Sequence, residues 1–96
     1  MKFNIKNAGG SLVTMGRRIG YIFQKEASKD EASFIRPLER NGYPRFHLYI
    51  KMEEEELAFN LHLDQKRPVY ETAHDHAAEY EGKLVEAEAE RIKQSL

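Results

Sequence analysis

The sequence predicts an α+β fold: an antiparallel β-meander of five or six strands with one C-terminal amphipathic helix packed on one face. Three observations carry this. In Arg45–Met52 the apolar Phe46, Leu48, Ile50 and Met52 alternate with Arg45, His47, Tyr49 and Lys51. In Glu56–Asp64 the apolar Leu57, Phe59, Leu61 and Leu63 alternate with Ala58, Asn60, His62 and Asp64. Strict period-two alternation marks strands with one buried and one wetter face. Near the end, Leu84, Val85, Ala89, Ile92 and Leu96 recur at helical spacing, which gives a helix one apolar stripe to bury.

From the N-terminus, Phe3 and Ile5 alternate with Lys2, Asn4 and Lys6, a short strand. Asn7-Ala8-Gly9-Gly10 reads as a turn, since Asn and Gly accept positive φ cheaply. Ser11–Met15 then suits a return strand, closing a first hairpin. Arg18–Gln24 resumes strand character, with Gly16 and Gly20 marking a bulge or bend. Lys25–Ala32 is a polar connection. Ser33–Glu39 is another strand, with Pro37 at an edge or bulge because it has no N–H for the ladder. Arg40–Pro44 turns around Asn41-Gly42.

The two alternating segments specify their own pairing. A loop centred between Glu54 and Glu55 sets Met52 opposite Leu57, Ile50 opposite Phe59, Leu48 opposite Leu61 and Phe46 opposite Leu63. The other face then pairs Lys51 with Ala58, Tyr49 with Asn60, His47 with His62 and Arg45 with Asp64. A one-residue slip would set core residues against polar ones, so parity is determined. Burial of that face, at roughly 1.5–3 kcal/mol per large side chain, dominates the expected stability.

After Asp64, Gln65-Lys66-Arg67-Pro68 breaks the pattern and Val69–Glu71 suits a short extended piece. The helix is expected over Gly82–Ser95. Thr72–Gly82 is read as a loop with Gly82 as N-cap; the alternative is a capping box at Thr72 and Asp75 that starts the helix at Ala73.

Ninety-six residues allow one domain, residues 1–96. The absence of cysteine excludes disulfides, thiolate zinc sites and cysteine nucleophiles. No apolar run approaches the roughly 18–20 residues of a membrane span. Met1–Lys6 lacks the apolar stretch of a secretory signal, so a cytoplasmic location is expected. Charge is divided: residues 1–50 hold nine Lys and Arg against four Asp and Glu, and residues 51–96 hold six against twelve. A basic sheet region beside an acidic helix accounts for this; head-to-tail self-association is the sharper reading.

Among chemistry-bearing residues, His74-Asp75-His76 stands out. Two imidazoles at i and i+2 point the same way on extended backbone and grip one divalent metal ion, with His62 as a third ligand. On a helix they would diverge by about 200° and fail as a chelate. His47 opposite His62 suggests pH sensitivity near 6. The acidic residues Glu86, Glu88 and Glu90 read as a solvated helix face, and no nucleotide-binding or hydrolase motif is present. Arg17, Arg18, Arg36, Arg40 and Arg45 interleave with Tyr21, Phe34, Tyr43 and Phe46, a composition that can serve single-stranded nucleic acid.

The strings Phe46-His47-Leu48-Tyr49, Asn60–Lys66 and Glu79–Gly82 resemble small, uncharacterised prokaryotic proteins of about this length. The resemblance covers roughly the C-terminal half and implies no activity. The expectation is therefore a small binding or interaction domain, self-associating or an accessory subunit, rather than an enzyme. Its surface is placed at the hairpin end and the 65–82 loop, through His47, Tyr49, His62, Asp64, Lys66 and Tyr70. The alternatives are a divalent-metal protein using His62, His74 and His76, and a weak single-stranded nucleic-acid binder. A protein partner is favoured over nucleic acid.

Overall fold

The computed structural model describes residues 1–7, 9–65 and 74–96, and for 74–80 the backbone alone. Five strands, β1 (Lys2–Lys6), β2 (Ile22–Ser28), β3 (Glu31–Pro37), β4 (Arg45–Met52) and β5 (Glu56–Asp64), form one sheet in the order β1-β5-β4-β3-β2. All neighbours are antiparallel. The strands β2 to β5 are a meander, and β1 lies outside it, beside β5. Two helices, α1 (Leu12–Arg18) and α2 (His74–Ser95), complete the α+β fold.

The β4–β5 register is the one the alternation predicts: Met52 faces Leu57, Leu48 faces Leu61, His47 faces His62 and Arg45 faces Asp64. Leu48, Ile50, Leu57, Phe59 and Leu61 are buried on the shared face. β3 adds Phe34 opposite Leu48 and Ala32 opposite Ile50. β1 adds Phe3 opposite Phe59, the two rings stacked at 5.1 Å.

Ser11–Met15 is not a return strand. The chain folds there into α1, because β1 and β2 lie on opposite edges of the sheet. Those edges are four strand spacings apart, about 19 Å. The connection must cross the apolar face, and a helix both spans it and covers it. Ser11 caps α1, its hydroxyl accepting from the Thr14 N–H at 3.1 Å. Leu12, Met15 and Ile19 form the buried stripe. Gly16 lies so close to the Phe34 ring that a Cβ would collide with it. Gly20, at φ 86°, ends the helix: its N–H donates to the Arg17 carbonyl and the Tyr21 N–H to the Gly16 carbonyl. This is the Schellman pattern, which a positive-φ glycine permits. Neither glycine is a strand bulge.

The next strand starts later than the pattern suggests, at Ile22, and runs on through Lys25 to Ser28, so most of the expected polar connection is strand. β2 is an edge strand exposed along its length, which leaves no buried face to impose alternation. Its register with β3 shifts twice, between Phe23 and Lys25 and between Glu26 and Ser28. Such irregularities blunt an edge against further pairing. Pro37 closes β3, where its missing N–H costs little.

Helix α2 starts at His74, eight residues before the expected Gly82. The loop reading of 74–81 is therefore corrected: the backbone there is helical, and Gly82 is an interior residue. Ala89 and Ile92 are fully buried, with Leu84, Val85 and Leu96 packed at the margin of the core. The expected solvated face also needs correction at Glu88, which is only 4% exposed. Its carboxylate accepts from the Tyr21 hydroxyl at 2.6 Å, from Arg91 Nε at 2.7 Å and Nη2 at 2.8 Å, and from Arg36 Nη1 at 3.2 Å. Arg91 Nη2 also donates to the Ile19 carbonyl at 2.7 Å. This cluster ties α2 to β3 and to the end of α1. Burial alone would raise the Glu88 carboxyl, but hydrogen bonds from Arg91 and Tyr21 and the charge of Arg36 hold it below its ordinary 4.5. Burial, reinforced by the adjacent carboxylate, pushes the Tyr21 phenol above its ordinary 10.0. Among the described residues, no helix is long and apolar enough to cross a membrane.

Candidate functional site

Both helices cover one face of the sheet, and among the described residues no element covers the other, the open face. Four of the six residues expected at a binding surface meet there. Tyr49 is central: its ring stacks on His47 at 4.6 Å between centroids and meets the His62 ring edge-on at 6.0 Å. His47 and Tyr49 are neighbours because residues two apart on a strand share a face. His62 arrives from β5 through the register. Asp64 Oδ2 lies 3.1 Å from His47 Nδ1 and 3.5 Å from Arg45 Nε. The Arg45 guanidinium in turn covers the Tyr43 ring at 4.6 Å. His47 Nε2 is buried without a hydrogen-bond partner among the described residues.

The His62 side chain is largely exposed, yet its partial contact with the sheet and the nearby N-terminal ammonium lower its pKa below 6.5. His47 and Lys2 push the same way, against Asp64. The ring is therefore mostly neutral at pH 7. The pairing of the two histidines foreseen from the register is real, but Tyr49 contacts both rings.

Lys66 and Tyr70 lie outside the described residues. So do the side chains of His74 and His76. The backbone carrying them is helical, not the extended backbone expected from the sequence. Among the described residues, no group of three or more His, Asp or Glu side chains is placed to hold a metal.

The basic and aromatic residues singled out in the N-terminal half do not form a common surface. Tyr21, Phe34 and Phe46 are buried in the core, and Arg36 is engaged with Glu88. A different basic and aromatic set lies on the open face. Through β1, Lys2 and Asn4 join Glu31, Tyr49, Lys51, Ala58, Phe59 and Asn60 around a shallow depression of about 400 Å³. The alternation of Lys2, Asn4 and Lys6 with Phe3 and Ile5 marks which face they occupy. Nothing local says that β1 pairs with β5, so sequence reasoning did not bring them to Tyr49.

The chain matches no protein-family model, no curated protein and no solved structure.

Proposed function

We propose that this chain is a binding domain whose working surface is the open face of the sheet, centred on Tyr49 between His47 and His62. The observation that carries this reading is Tyr49 itself. It is 37% exposed in the middle of the central strand, where folding does not require a large aromatic side chain. Aromatic side chains with a polar tip serve binding because they bring large contact area at little entropic cost. Around it stand hydrogen-bonding groups with polar neighbours, His62, Asn60 and Asp64, and the depression beside it is open.

Amide spectra of isotope-labelled protein test this reading. They are recorded in buffer and in a clarified lysate of the cells the protein comes from. Signal loss is expected to concentrate at open-face positions of β1, β4 and β5. Loss confined to α1 and α2, or no loss, would overturn it.

A further inference from the structure

The registers of the five strands align one transverse row on the open face. Lys2 lies opposite Asn60, Asn60 opposite Tyr49, Tyr49 opposite Ser33, and Ser33 opposite Lys25. The row therefore has an aromatic ring at its centre, neutral polar groups beside it and a lysine at each end. No carboxylate interrupts it. Each lysine sits two strand spacings from Tyr49, about 9–10 Å. Among the described residues of this face, the cations Lys2, Lys6, Lys25, Arg45 and Lys51 outnumber the carboxylates Glu31, Glu56 and Asp64. Two of those carboxylates are already engaged, Glu56 by Asn4 at 2.8 Å and Asp64 by Arg45 and His47. The face is thus cationic on a chain whose net charge is -1.

Resting on the open-face reading above, we propose that its partner is a single-stranded nucleic acid. The strand lies along the Lys2–Asn60–Tyr49–Ser33–Lys25 row, with a base on Tyr49 and phosphates on the two lysines. Charge complementarity selects this occupant. A second copy in an isologous contact would set the same cationic patch against itself. A duplex keeps its base faces inside the stack, whereas a single strand offers them to an aromatic platform. Asn60 supplies a neutral hydrogen-bonding group beside the ring, Ser33 is buried with its hydroxyl donating to Gln24 at 3.3 Å, and Glu31, the carboxylate that lines the depression, lies opposite Lys51 in the β3–β4 register.

The test is a titration of the full chain with a labelled oligothymidylate of about 12 nucleotides, within the roughly 4–16 covered by comparable single-strand binders. Binding is expected, and the duplex of the same length is expected to bind more weakly. Two phosphate contacts predict about a 7-fold weaker Kd between 50 and 200 mM salt. Tyr49→Ala is expected to weaken binding at least about 5-fold, whereas Tyr49→Phe retains it. The pair Lys2→Glu and Lys25→Glu removes the salt dependence. These side chains are exposed, and unchanged circular dichroism verifies that the variants fold. Absence of binding at 50 mM salt, or equal binding by Tyr49→Ala, overturns the proposal. Nuclease treatment of the lysate separates it from the broader reading. Open-face signal loss that survives nuclease rejects nucleic acid but keeps the open face as the working surface. Concentration-dependent sedimentation with that same face protected would identify a second copy instead, again rejecting nucleic acid.

Discussion

Replacing Glu88 with alanine tests the least expected feature of the fold, a carboxylate buried under the C-terminal helix. The substitution leaves the Tyr21 hydroxyl, on a residue 3% exposed, without its acceptor. A buried hydroxyl so stranded costs about 1–3 kcal/mol. Arg36 and Arg91 also lose their partner, but their side chains are 37% and 38% exposed. Water takes over much of that role, and their share is about 1 kcal/mol. The sum, about 2–4 kcal/mol, corresponds to a fall in Tm of roughly 10–30 °C for a domain of this size. Urea and thermal unfolding followed by circular dichroism at pH 7 measure it. A double-mutant cycle with Tyr21→Phe should return a coupling of about 1 kcal/mol. Because the carboxyl is held below 4.5 in the folded state, its contribution is complete above that pH. It is lost as pH falls through the lower folded value. The difference between wild type and Glu88→Gln should therefore shrink on acidification. Glu88→Ala within about 0.5 kcal/mol of wild type, or a Gln difference independent of pH, would refute the reasoning, since surface changes ordinarily stay in that range.

Three further outcomes are expected. Gly16→Ala places a Cβ 2.9 Å from Phe34 Cζ and closer still to Cε2 and Cδ2. Phe34 is fully buried, so overpacking of about 1–3 kcal/mol should outweigh the roughly 1 kcal/mol gained in helix propensity, a net loss readable by urea unfolding. Leu61→Ala removes a fully buried side chain at the centre of the β4–β5 face and should cost about 2–5 kcal/mol in the same assay. For His62, NMR titration should give a midpoint below 6.5. A folded pKa below the unfolded one means that stability declines as pH falls through 6.5 toward the folded value, and His62→Gln should remove that decline.

Much of this molecule is legible in local pattern. The β4–β5 hairpin follows from two alternating segments, because period two assigns every side chain to a face and a slip inverts all of them. That one inference places His47, Tyr49, His62 and Asp64 together. The stripe of α2 is equally local. Helix α1 was legible in principle: Leu12, Met15 and Ile19 have helical spacing, Ser11 is an N-cap and Gly20 a helix stop. A segment of seven residues is short enough to satisfy a strand pattern as well. The start of α2 was ambiguous because Gly82 serves equally as a cap and as a tolerated interior residue.

The pairing of β1 with β5 belongs to another class of fact. Two edges of a four-stranded meander were available to Lys2–Lys6, and no residue within β1 chooses between them. The choice depends on contacts between distant segments, with Phe3 stacked on Phe59 of β5 and α1 covering the apolar face between the two edges. From it follows the position of Lys2 in line with Tyr49. Glu88 makes the same point on the covered side. Its neighbours along the helix are as acidic as it is, and only the approach of Tyr21, just ahead of β2, and of Arg36 on β3, beside Arg91 one turn along the same helix, makes burial of one of them favourable. Periodicity along a chain reports which side of an element is apolar. The partners that meet across elements depend on packing between segments distant in sequence, and that is where the candidate surface and the buried carboxylate were both decided.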